Sequence, residues 1–105
     1  MKLINHDNYF IVDLEKSSGL NLLTEFLKQN NQICPNIIID LMNCDMEASN
    51  IINTLFPFHL NWEKRNKSFI LVSNMGKKIV KHMISLNSRE EAIDFFHMEE
   101  LTRSI

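Results

Sequence analysis

Side chains able to do covalent, acid–base or metal chemistry are few in this chain and scattered. The four histidines, His6, His59, His82 and His97, are widely separated. None has the i, i+4 partner that turns two imidazoles of one helical face towards a metal ion. His59 belongs to an apolar stretch, where a packed or surface imidazole is expected, and His97 precedes Met98-Glu99-Glu100, a solvated helix face. Cys34 and Cys44 fall outside Cys-x-x-Cys spacing and are too few for a disulfide scaffold. Two isolated glycines, Gly19 and Gly76, cannot build a phosphate-cradling loop. Serine nucleophiles lack both an elbow motif and a suitably placed base. Val12-Asp13-Leu14-Glu15 is a poor substitute for the acidic pair that aspartate phosphorylation requires. No catalytic residue, metal ligand or cofactor is expected.

The chain that carries these groups has 105 residues, 45% hydrophobic and 23% charged, with a net charge of −2. That is the size of one domain, residues 1–105, and the charge excludes a globally basic nucleic-acid module. Apolar runs reach only four residues, as in Phe69-Ile70-Leu71-Val72, too short to span a bilayer. The first residues show no apolar secretory core, so a reduced, cytoplasmic protein is expected. Charge is uneven along the chain. Lys64, Arg65, Lys67, Lys77, Lys78, Lys81 and Arg89 occur with no acid among them, and Glu90, Glu91, Asp94, Glu99 and Glu100 follow. Two solvated faces of opposite sign account for this. The sharper alternative is a small RNA-associated accessory protein using the basic 64–89 stretch, although aromatic residues are not interleaved there for base stacking.

The elements follow from periodicity and breakers. Leu3-Ile4 and Tyr9-Phe10-Ile11-Val12 predict two strands joined by a turn at His6-Asp7-Asn8. A first helix is expected to start near Ser17-Ser18 and to present Leu20, Leu23 and Leu27 on one stripe. Pro35 disfavours helical geometry at Cys34. Ile37-Ile38-Ile39, without polar alternation, predicts a strand buried on both faces in mid-sheet. A second helix is expected over about Ala48 to Lys64, kinked or broken at Pro57. A helix broken there could leave some of Phe56, Phe58 and Trp62 exposed as a partner surface; the other reading places all three in the core. Phe69-Ile70-Leu71-Val72 is the next buried strand. Met75, Ile79 and Met83 suggest a short third helix, Ile84-Ser85-Leu86 a brief strand, and Ser88 with Glu91 a capping box that opens a last helix to about Arg103.

The segment Asn36-Ile37-Ile38-Ile39-Asp40-Leu41-Met42-Asn43-Cys44, followed by Asp45-Met46-Glu47-Ala48-Ser49-Asn50, resembles the central strand and switch loop of STAS domains, the anti-sigma factor antagonist modules. The pattern of that family is an apolar strand ending Asp-Leu, a short loop, Asp-Ser-Ser/Thr-Gly and a helix. Asp40-Leu41 matches, and Ser49 falls at the phosphorylatable serine, while Ala48 replaces the aspartate and Ile51 the glycine. The last helix, with Glu91-Ala92-Ile93-Asp94 and Met98-Glu99-Glu100-Leu101-Thr102-Arg103, is similar to a subgroup of small stand-alone bacterial STAS-like proteins.

The resemblance implies an α/β fold: a STAS-like layer of a mixed four- to five-stranded sheet with about four helices. It further implies a non-enzymatic regulatory domain that docks a protein partner, a regulatory kinase or sigma-regulator-like protein, through the second helix and its preceding loop. The residues carried over are Ser49 as phosphosite, with Glu47, Asn50, Asn53, Thr54, Phe58 and Trp62 as partner contacts. A phosphate would add about −1.5 to −2 charges at that helix N-terminus, tolerated by the dipole in the free domain and disruptive at a docked interface. Ser49 as a plain helix N-cap is the alternative.

Overall fold

The computed structural model describes residues 1–16, 19–44, 48–74, 78–80 and 83–104. Among them are six strands and three helices: β1 (Lys2–Asn5), β2 (Phe10–Asp13), α1 (Leu20–Gln29), β3 (Ile37–Asp40), α2 (Ala48–Lys64), β4 (Phe69–Val72), β5 (Lys78–Val80), β6 (Met83–Leu86) and α3 (Arg89–Ser104). They form one mixed sheet in the order β1-β2-β3-β4-β6-β5. The inner strands β2, β3, β4 and β6 are parallel, and the edges β1 and β5 are antiparallel to their neighbours.

The opening hairpin forms as its turn residues predict, with the His6 N–H donating to the Tyr9 carbonyl at 2.9 Å. Parallel neighbours require long crossovers, and α1 and α2 supply those between β2 and β3 and between β3 and β4. Both helices cover one sheet face. Leu23 and Leu27 of α1 and Ile51, Ile52, Leu55 and Trp62 of α2 pack with Val12, Ile37, Ile39, Phe69 and Leu71. The other face carries Ile11, Ile38, Ile70, Val72 and Leu86 under Ala92 and Phe96 of α3. Successive strand side chains point to opposite faces, so Ile37 and Ile39 serve one layer and Ile38 the other. That is why this run lacks polar alternation, and β3 does lie mid-sheet.

Local chemistry sets the helix ends. Ser88 accepts the Glu91 N–H at 3.2 Å, so the capping serine is in place at the start of α3. Asn66 just past α2 has φ 58°, a left-handed conformation that asparagine tolerates. Cys34 is also left-handed, φ 48°, consistent with the exclusion of right-handed helix before Pro35. Gly19 precedes α1, and a Cβ there would lie 2.8 Å from Leu14 Cδ1. Ser17 and Ser18, the expected caps of α1, lie outside the described residues.

Three expectations need correction. The short helix through Ile79 and Met83 is absent: Lys78–Val80 and Met83–Leu86 pair as antiparallel strands, Ile79 opposite Ile84 and Val80 opposite Met83. Three apolar residues at four-residue spacing are too short a signal to nucleate a helix against β-branched sheet pairing. Among the described residues there are therefore three helices where about four are expected, and six strands where four to five are. Finally, the break allowed at Pro57 does not occur: α2 runs from Ala48 to Lys64 with Pro57 inside it. Pro57 is exposed, so the turn that lacks its N–H faces solvent, where the loss is least costly.

Candidate functional site

The carboxyl ends of β2 and β3 place two aspartates side by side, Asp13 and Asp40, which are register partners. Both are buried. Arg89, the first residue of α3, reaches both: its Nη2 donates to Asp13 Oδ2 at 2.7 Å and its Nε to Asp40 Oδ2 at 2.5 Å. Arg89 is held above its ordinary pKa first by the hydrogen bond to Asp40, against a partial burial cost. Asp40 Oδ1 in turn accepts the Met42 N–H at 2.9 Å, an Asx turn that directs the chain out of β3 towards α2. One strand further, the Ser73 and Ser85 hydroxyls share a buried hydrogen bond of 2.6 Å. The two carboxylates are engaged by a guanidinium, so this cluster acts as a clamp that ties the ends of β2 and β3 to the start of α3.

At the opposite, amino-terminal edge of the sheet, a groove of about 410 Å³ is lined by His59, Glu63, Asn66, Lys67, Phe69, Ile84, Glu99 and Arg103. Two of its side-chain pairs lie along the groove wall. His59 Nε2 lies 3.1 Å from Glu63 Oε2. The buried Ser68 hydroxyl donates to Glu99 Oε1 at 2.7 Å and accepts from Arg103 at 3.0 Å. His59 is packed between the rings of Phe56 and Phe69, as a core-facing histidine in an apolar helix would be. No group of three metal-ligating side chains occurs among the described residues.

The predicted partner residues divide sharply. Asn50, Asn53 and Thr54 are exposed on α2, together with Pro57 and Leu60. Their spacing of three and four residues puts them on one face. Phe58 is half-buried and packs against the core. Trp62 is a correction: it is 0% exposed, stacks edge-on against Phe69 and donates its indole N–H to the Pro35 carbonyl at 2.7 Å. Since α2 is not broken at Pro57, residues 51, 55 and 62 share its inner stripe, and the expected exposed aromatic cluster does not form. Ser49 is the second residue of α2, its side chain outside the described residues; Glu47 lies outside them altogether.

Of the basic stretch 64–89, only part lies among the described side chains. Lys64, Arg65 and Lys67 are exposed, but Arg89 is committed to Asp13 and Asp40. Lys77, Lys81 and the Lys78 side chain lie outside the described residues.

Sequence reasoning missed two features. One is the clamp, whose signal is the repeated ending Val-Asp and Ile-Asp of two apolar runs, at Val12-Asp13 and Ile39-Asp40. The other is that residues 48–62 contain no Asp, Glu, Lys or Arg, although this helix exposes a full face. No protein-family model and no curated protein matches the chain. No helix among the described residues is long and apolar enough to cross a membrane.

Proposed function

We propose that this chain is a cytoplasmic, STAS-like regulatory domain, non-enzymatic, acting through protein–protein interaction at the outer face of α2. The observation that carries the reading is the charge-free stretch 48–62, displayed on the helix that follows the central strand in the chain. A solvated helix normally covers its outer face with charges, whereas the core of a protein interface is depleted of them. Asn50, Asn53, Thr54, Pro57 and Leu60 form such a face. The partner class is a regulatory kinase or sigma-regulator-like protein, with Ser49 at the position where a phosphate would oppose docking.

Quantitative capture tests this. Wild-type protein and a Thr54→Lys variant are used as bait under native conditions. A partner retained by the wild type and lost, at equal folded bait, from the variant supports the reading. Equal recovery by both baits contradicts it. For the switch itself, Ser49→Asp should weaken binding of that partner by about tenfold, ~1.4 kcal/mol, and unchanged affinity leaves Ser49 as a cap.

A further inference from the structure

We infer that the groove at the amino-terminal end of the sheet is a binding site for a free α-amino acid with an apolar side chain. The site is separate from the outer face of α2 and does not depend on what covers that face. Among its described lining residues, Glu63 and Glu99 carry negative charge and Lys67 and Arg103 positive. Two carboxylates balanced by two cations favour neither a polyanion nor a polycation, and a small zwitterion is the complementary ligand. The volume of about 410 Å³ falls within the range of small-molecule sites, roughly 300–1,000 Å³.

The charges are fixed from beneath. Ser68 is buried, and its hydroxyl is used twice: it donates to Glu99 Oε1 at 2.7 Å and accepts from Arg103 Nη1 at 3.0 Å. Glu99 and Arg103, one turn apart on α3, are thereby held with Arg103 Nη2 3.9 Å from Glu99 Oε1. At that distance the two attract without a hydrogen bond. Glu99 Oε2 therefore keeps its acceptor capacity and Arg103 Nη2 its donors. An α-amino acid carries a matching doublet, an ammonium and a carboxylate on one carbon. Its ammonium meets Glu99, and Glu63, already in contact with His59, adds a second carboxylate from α2. Its carboxylate meets Arg103 and Lys67, which is exposed and forms no ion pair with any described residue. Phe69 and Ile84 line the same groove and offer an apolar wall to its side chain.

Amide chemical-shift titration of the full chain by NMR, with L-leucine, L-methionine and L-phenylalanine as probes, tests the inference. At least one of them should give saturable shifts at millimolar concentration, centred on residues 66–69, 84 and 99–103. Its matched analogues without the ammonium or without the carboxylate (4-methylpentanoate and 3-methylbutylamine for L-leucine) should each bind about tenfold more weakly or worse, because one charge of the doublet is left unanswered. Lys67→Ala removes an exposed side chain and should leave the melting curve unchanged while weakening the same probe by about tenfold. Glu99→Gln keeps an acceptor for Ser68 and removes only the charge, with the same expected loss. No saturable shift from any of the three probes overturns the inference. So does a singly charged analogue that binds as tightly as its parent amino acid, or unchanged affinity in both variants.

Discussion

Arg89 holds together segments that the chain separates widely, since Asp13 is 76 residues away and Asp40 is 49. Its removal would leave two buried carboxylates without their counter-charge. Breaking a sealed ion pair costs roughly 3–5 kcal/mol, but the Arg89 side chain is 35% exposed and water screens part of that. Arg89→Met should therefore destabilise the fold by about 2–3 kcal/mol in urea denaturation, and adding Asp13→Asn and Asp40→Asn should recover most of the loss. A triple variant no more stable than the single one would show that the clamp is not electrostatic. Cys34 offers a second test at this scale. It is fully buried, and burial raises its pKa, whereas Cys44 is half-buried. Iodoacetamide at neutral pH should label Cys44 well before Cys34, and denaturant should equalise them. The sign of the linkage follows: with the folded thiol pKa raised, the Cys34 contribution is intact below the ordinary thiol range and is lost as pH rises above it.

Helix α2 illustrates what local sequence encodes and what it does not. Its limits, Ala48 and Lys64, were legible because a long stretch of apolar residues at helical spacing ends in Glu63-Lys64-Arg65 before a β-branched strand. The central strand Ile37–Asp40 was legible because three consecutive isoleucines suit only a position buried on both sides. The β5–β6 ribbon was not, since Ile79 and Met83 also fit a helical spacing and only pairing at the sheet edge decides between them. The Arg89 clamp was illegible for another reason: no local period relates residues 13, 40 and 89. Trp62 was half-read, left either in the core, where it lies, or exposed beside a break that α2 does not make. Pro57 remains a weak point in the helix. Because it is exposed, Pro57→Ala should add an N–H to the helix without disturbing the core, raising stability by about 1–3 kcal/mol on thermal melting. A lower melting temperature would mean that the proline ring makes a contact the helix needs.

At the scale of the whole molecule, the sheet is a rigid platform with two distinct ends. Its amino-terminal end carries a groove lined by the His59–Glu63 and Glu99–Arg103 pairs, and its carboxyl end carries the clamp of Asp13, Asp40 and Arg89. The feature that departs from ordinary surface chemistry is the uncharged outer face of α2, and the account stands or falls on whether another polypeptide covers it. The most direct measurement is site-specific photo-cross-linking in living cells, with the reactive side chain placed at Asn53, and at Glu25 on the exposed side of α1 for comparison. The account predicts discrete protein adducts from position 53, and none of these from position 25. Absence of adducts at position 53, or the same diffuse adducts at both positions, would contradict it.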